Sequence, residues 1–234
     1  MSNAPIIVAH RGIHRVHPEN SCAAFDEAIA AGFWVECDVH ASRDGEPIVI
    51  HDETLERTTD ACGRIDGMDA GALERIHLKG SDQTVPTFQR AVGGGGCWLV
   101  EIKPPRAPVL VRRVVDLLRR HATRWMVQSF DAPNVRELWV YDPTAAGAFL
   151  VEDSDVLERA ISEGWPAIHV SHELLSEDVA RRLRAGGASV SVWTVNELAD
   201  IRRVVQLGVD MLITDEPDRA RDLLTPSPSG RGLG

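Results

Sequence analysis

The chain has only four cysteines, no long apolar run and no excess of positive charge, and each shortage excludes a class of protein. Cys22, Cys37, Cys62 and Cys97 form no CxxC pair, so neither a zinc knuckle nor a disulfide framework is indicated, and free thiols are expected. No segment approaches the ~20 apolar residues of a membrane span. The start "MSNAPIIVAHRG" has neither the basic leader nor the apolar stretch of an export signal, which makes a cytoplasmic location the expectation. A net charge of −10 and a pI near 5.3 argue against a general nucleic-acid binder, whose phosphate contacts need a basic face, although a local basic pocket stays open.

What is present suits a globular α/β protein: 44% hydrophobic and 26% charged residues in 234, close to the length of one eightfold β/α barrel. Short β-rich apolar runs at 6–9, 34–39, 98–102, 125–129, 147–151, 166–171, 189–195 and 211–214 alternate with amphipathic segments, as parallel strands with crossover helices require. An open doubly wound sheet shares that alternation, but eight units in this length favour closure into a barrel, with residues 1–224 as a single domain. The helix-start signals are Asn20, Ser176 and Asn196, and Gly32, Gly164, Gly186 and Gly208 are expected just past helix ends. The tail "TPSPSGRGLG", 225–234, is Pro-, Gly- and Ser-rich and reads as disordered.

Residues 52–86 break the alternation and read as a short insertion after the second strand's hairpin, serving either as a lid or substrate-binding element or as a plain structural cover. The hairpin itself is signalled by Asp44-Gly45 between "VHASR" and "EPIVIH". A two-residue turn there places His51 directly opposite Asp38 on the same face.

In "WVECDV" the apolar pattern is interrupted by Glu36 and Asp38, which share one strand face because side chains alternate with a period of two. Barrel active sites form at the C-terminal ends of the strands. His10-Arg11, Glu36 and Asp38, Glu101 and Lys103, and Gln128-Ser129 all fall at such ends, and the last two strands close with "VWTVN" and "ITDE". Three acids at one mouth repel by about 4 kcal/mol per pair at ~4 Å and an effective dielectric of 20. Either Arg11 and Lys103 neutralise them alone, or a cation does. Three oxygen ligands without a Cys or a His pair suit one hard divalent ion, Mg²⁺ or Ca²⁺. Such an ion beside Arg11 and Lys103 fits an anionic substrate, phosphate most naturally, with His10 and His51 placed to act either as general acid and base or as supports of the metal ligands.

The motifs "AHRG…HPENS", "VECDV…DG", "PIVIHDETLERTT", "VPT", "LVEIKP", "QSF", "VWTVN" and "DMLITDEP" follow one another from about residue 6 to 217, and in that order they resemble the glycerophosphodiester phosphodiesterases. The resemblance implies an eightfold β/α (TIM) barrel that hydrolyses small glycerophosphodiesters to sn-glycerol 3-phosphate and an alcohol. It implies His10 and His51 as the acid/base pair, Glu36, Asp38 and Glu101 as ligands of Mg²⁺ or Ca²⁺, Arg11 and Lys103 on the phosphate, and Trp193 on the glycerol side. Release of a cyclic phosphate and a non-catalytic ligand-binding barrel are the competing readings. Ser21 stands where the family usually has Thr, and Gln89-Arg90 where an acid is usual. His14 and His17 in "HRGIHRVH" are expected to be loop residues, and His40 at most a support behind the site. Glu19 is expected either to orient His10 or Arg11 or to favour the start of a helix.

Overall fold

The computed structural model describes residues 4–105 and 107–225. Its elements run β1 (Ile6–Ala9), α1 (Cys22–Ala30), β2 (Trp34–Ala41), β3 (Pro47–Val49), a 3-10 turn (Ile65–Gly67), α2 (Ala70–Leu73), α3 (Phe88–Val92), β4 (Cys97–Ile102), α4 (Pro108–His121), β5 (Arg124–Ser129), α5 (Ala132–Tyr141), β6 (Gly147–Val151), α6 (Ser154–Glu163), β7 (Ala167–Ser171), α7 (Glu177–Ala185), β8 (Ser189–Trp193), α8 (Leu198–Gln206), β9 (Met211–Thr214) and α9 (Pro217–Leu224). The sheet order is β1-β9-β8-β7-β6-β5-β4-β2-β3, and β1 pairs in parallel with both β2 and β9, which closes an eight-stranded parallel barrel. Each of the eight expected runs coincides with a barrel strand. The expected tail lies, beyond Thr225, outside the described residues. Among those residues no helix is long and apolar enough to cross a membrane, and all four cysteines are free thiols.

The period of two sorts the strand residues. Val35, Cys37 and Val39 of β2 and Trp98 and Val100 of β4 face outward into a core shared with α1, α3 and α4. Trp98 is fully buried there between Phe25 and Phe88, whose rings meet it edge-on at 5.2 and 6.0 Å. The opposite faces point into the barrel, whose floor is plugged by Val8, Leu99, Met211 and Ile213, with Trp34 and Met126 against them. Above this plug the same inner faces carry Glu36, Asp38, Glu101 and Gln128. α4 shows how a helix earns its place: Leu110, Val111, Val114, Val115 and Leu118 form one buried stripe, Pro108 opens the first turn, and Arg119, Arg120 and His121 complement the negative end of its dipole.

The segment 52–86 covers β3 with a small core of its own, Ile48, Ile50, Leu55, Ile65, Leu73, Leu78 and Val85. The hairpin beneath it differs from the expected register. Val39 pairs with Val49, His40 with Ile48 and Ala41 with Pro47, so Asp38 lies opposite Ile50, not His51. Ser42 bonds Glu46 across a three-residue turn, Arg43-Asp44-Gly45, in which Gly45 takes a left-handed φ of 80°. Asp-Gly suits this turn as well as the two-residue one, and the extra residue shifts the pairing by one.

Two of the expected helix starts also move by one residue. Ser21, not Asn20, caps α1 by accepting from Ala24 N–H, and Glu197, not Asn196, occupies the cap position of α8. Ser176 caps α7 as expected. Gly32, Gly164 and Gly208 take left-handed φ at helix ends, but after α7 that residue is Gly187, because Gly186 still has a helical φ of −77°.

Gly12 holds the turn that follows β1. Its φ is +81°, and a Cβ there would lie 2.7 Å from the backbone carbon of Ala24 in α1. Both the conformation and the space exclude a side chain. Gly12→Ala is expected to cost about 2 kcal/mol or more, a drop of roughly 4–8 °C in Tm for a domain of this size. An unchanged melting curve by circular dichroism would show that the turn relaxes at no cost.

Candidate active site

The parallel register between β2 and β4 sets Asp38 beside Glu101, with Glu36 two residues below on the same face. All three carboxylates are buried, and one oxygen from each lies within 4.8 Å of the others. Lys103, just past β4, reaches back to both partners of the pair: its Nζ is 2.8 Å from Asp38 Oδ1 and 2.7 Å from Glu101 Oε1. Arg11, just past β1, gives its backbone N–H to Glu36 Oε2 at 3.1 Å and sets its Nε 3.3 Å from Asp38 Oδ2.

These contacts divide the cluster electrostatically. Burial pushes Asp38 up, but Lys103 and Arg11 outweigh it and hold this carboxyl well below the usual range. Burial and the neighbouring acids win at the other two: Glu36 is raised well above its ordinary value, and Glu101 is pushed up to about 7. Three carboxylates against two cationic side chains leave one negative charge without a partner. The donor set is all oxygen, and its acids fall short of counter-charge, so the residues fit a hard divalent ion.

His10 and His51 line the cleft beside this cluster, together with Arg11, Glu36, Glu101, Lys103, Gln128, Phe130, Leu150, Glu152, Trp193, Thr194 and Ile213. Each histidine is tied at Nδ1 to a carboxylate: His10 to Asp215 Oδ1 at 2.7 Å and His51 to Asp52 Oδ1 at 2.6 Å. That leaves Nε2 of each ring for chemistry. Burial lowers the His51 imidazole, despite the pull of Asp38 in the other direction. Asp52 is held at about 2 chiefly by hydrogen bonds from Arg57 and His51. Asp215, whose burial would raise it, is held far below the usual range by hydrogen bonds from His10 and His14. Trp193 forms an aromatic wall with Phe130, edge-on at 5.3 Å, and is anchored by Nε1–H donating to the His169 carbonyl at 3.0 Å.

Seven of the eight expected site residues line this cleft, and the eighth, Asp38, is buried behind it against Lys103 and Arg11. Glu19, left between two roles, bonds Arg11 Nη1 at 2.9 Å and both Nη groups of Arg57 at 2.9 and 2.8 Å, so it orients Arg11. His40 sits behind the site, where its Nε2 meets the His51 carbonyl at 3.0 Å. Asn20, expected as a helix cap, adopts a φ of 57° and turns inward; Nδ2 donates to Asp38 Oδ2 at 2.8 Å. Asn196 likewise serves the site, donating from Nδ2 to Asp215 Oδ2 at 2.6 Å.

Sequence reasoning missed Asp52, Arg57, Asp215 and the structural task of Gln128. Two of them carry a signal in hindsight, since Asp52 directly follows His51 and Asp215 follows the last barrel strand. Gln128 donates to Glu36 Oε1 at 3.4 Å and meets His169 Nδ1 at 2.7 Å through its own oxygen. His169 is wholly buried, and burial lowers it to about 3, so it supports the floor as a neutral ring.

The family model described as "Glycerophosphoryl diester phosphodiesterase family" matches residues 10–219. Among curated proteins, the chain is 26% identical to a glycerophosphodiester phosphodiesterase of Caldanaerobacter subterraneus subsp. tengcongensis, covering 94% of this chain and 97% of that one. A second, from Bacillus altitudinis, is 27% identical over 92% and 96% of the two chains. Among solved structures, an Oleispira antarctica phosphodiesterase in complex with the product sn-glycerol-3-phosphate superposes with a TM-score of 0.84, at 25% identity over 94% of this chain and 97% of that one.

Glu101→Gln removes one negative charge and one strong oxygen donor from the cluster while keeping the side-chain shape. It is expected to weaken Mg²⁺ or Ca²⁺ binding by about tenfold or more in isothermal titration calorimetry. Equal affinity in the variant and the parent would remove Glu101 from the ligand set.

Proposed function

The chain belongs to the glycerophosphoryl diester phosphodiesterase family, an enzyme family of phosphoric diester hydrolases, and from that premise we propose that it hydrolyses small glycerophosphodiesters to sn-glycerol 3-phosphate and an alcohol in a divalent-cation-dependent reaction. The observation that carries this reading is the convergence of two carboxylate-backed imidazoles on a buried three-carboxylate cluster flanked by Arg11 and Lys103.

Glu36, Asp38 and Glu101 would hold one Mg²⁺ or Ca²⁺. When bound, that ion supplies charge that offsets the negative charge growing on the phosphoryl oxygens. Arg11 and Lys103 hold the phosphate as charged hydrogen-bond donors. Burial pulls Lys103 down, but Asp38 and Glu101 outweigh it and raise the ammonium above its ordinary value. The aromatic wall of Trp193 and Phe130, with Leu150, gives the glycerol carbons an apolar face.

His10 and His51 divide the proton work. One accepts a proton from water as its oxygen bonds to phosphorus; the other returns a proton to the alkoxide as the phosphorus–oxygen bond to the alcohol breaks. Asp215 and Asp52 fix the tautomers by accepting from Nδ1–H and stabilise whichever ring is charged, as a carboxylate does for any catalytic imidazole.

A panel of glycerophosphocholine, glycerophosphoethanolamine, glycerophosphoglycerol and glycerophosphoinositol, assayed with each metal after chelator stripping, tests the reading. Phosphorus NMR should show sn-glycerol 3-phosphate accumulating. A cyclic phosphate that persists as the end product, or turnover indifferent to chelator, would overturn it. His51→Ala should lower kcat by about 10² or more with metal affinity retained; near-normal kcat would remove His51 from the proton transfers.

A further inference from the structure

The segment "HRGIHRVH" supplies two histidines that the reaction above leaves unused, His14 and His17. The Gly12 turn carries the chain back so that His14 Nε2 lies 3.1 Å from Asp215 Oδ1, the same oxygen that meets His10 Nδ1 at 2.7 Å. One carboxylate oxygen therefore sits between two imidazole nitrogens, and the three residues each offer one ligand atom within 4.8 Å of the others. The side chains are 18%, 27% and 30% exposed for His10, His14 and Asp215, which leaves the group reachable from solvent. Asp215 cannot swing away, because Asn196 holds its other oxygen at 2.6 Å and its backbone N–H at 2.9 Å.

We propose that His10, His14 and Asp215 form a second metal site, selective for a borderline transition ion such as Zn²⁺, through which that ion shuts the enzyme off. The two clusters differ in donor chemistry. Three carboxylates suit a hard ion, whereas two imidazoles and one carboxylate suit Zn²⁺, with a solvent-facing fourth position for water. Bonds of about 2.0–2.1 Å place tetrahedral ligand atoms about 3.3 Å apart. The observed separations of 2.7 and 3.1 Å need to widen by roughly 0.6 and 0.2 Å on two partly exposed histidines.

Occupation changes His10 directly. In the tautomer that donates Nδ1–H to Asp215, the Nε2 lone pair of His10 is free. A metal takes the Nδ1 lone pair, so the ring proton moves to Nε2, and the nitrogen in the cleft no longer accepts a proton. The ring remains neutral, and no proton is lost from it. Binding follows from the geometry alone; the inhibitory consequence rests on the acid–base role proposed for His10.

The test uses the full-length enzyme saturated with Mg²⁺, with Zn²⁺ titrated against turnover and Co²⁺ followed by its visible absorption as a readout independent of activity. His14→Gln is the diagnostic variant, since an amide can still donate to Asp215 but is a poor ligand for Zn²⁺. His17→Ala is the control, because His17 pairs with Glu27 at 3.1 Å and not with Asp215. Zn²⁺ should inhibit the parent, and further Mg²⁺ should not relieve it. His14→Gln should need more than about tenfold more Zn²⁺ for half-inhibition and should lose the Co²⁺ absorption, while His17→Ala behaves as the parent. Equal Zn²⁺ sensitivity in His14→Gln, full relief by excess Mg²⁺, or an unchanged Co²⁺ spectrum would each overturn the site. Should no glycerophosphodiester be turned over, the Co²⁺ comparison still decides metal binding, and the failure falls on the proposed reaction alone.

Discussion

Burying three carboxylates side by side is the constraint around which the barrel mouth is organised. The β2–β4 register places Asp38 against Glu101, and the period of two brings Glu36 to the same interior face. Burial strips most of the water from these groups, and an unpaired buried charge costs several kcal/mol even after relaxation. The surrounding residues answer that cost in turn: Lys103 bridges the pair, Arg11 approaches from β1, Asn20 donates to Asp38 and Gln128 to Glu36. Even so, Glu36 and Glu101 stay raised while Asp38 is lowered, because Arg11 and Lys103 compensate Asp38 more fully than its two neighbours.

The two histidines extend the same logic outward. Each is aimed by a carboxylate, and each carboxylate is itself held: Asp215 by Asn196, Asp52 by Arg57. Arg57 also bonds Glu19, which bonds Arg11, so one chain of charged hydrogen bonds links the loop after β1 to the segment after the hairpin. The segment 52–86 is therefore more than a cover. Its apolar core fixes it to β3, and its first residues supply the partners that orient His51 and Arg11.

Much of this was legible in the chain. Apolar runs with a period of two located the barrel strands, because that period is a local property of extended backbone. Polar interruptions at the strand ends located His10, Arg11, Glu36, Asp38, Glu101 and Lys103, because a closed barrel gathers those ends at one mouth whatever the loops do. His51 was found although the pairing offered for it was wrong. The three-residue turn sets Asp38 opposite Ile50, and His51 reaches the cleft from just beyond β3. A local motif such as Asp-Gly permits either turn, and packing of the hairpin under the following segment selects one.

The sequence by itself determined the barrel, its eight strands and the identity of the charged mouth, since these follow from alternation and strand-end chemistry that neighbouring residues carry. Only the tertiary structure decided which side chains serve the charged groups. Asn20 and Asn196 look like helix caps locally, yet a left-handed φ turns the first to Asp38, and the Asp215 carboxylate claims the second. His10 meets Asp215 across a separation of 205 residues. No local pattern encodes such a contact; it exists because β1 and β9 are neighbours once the barrel has closed.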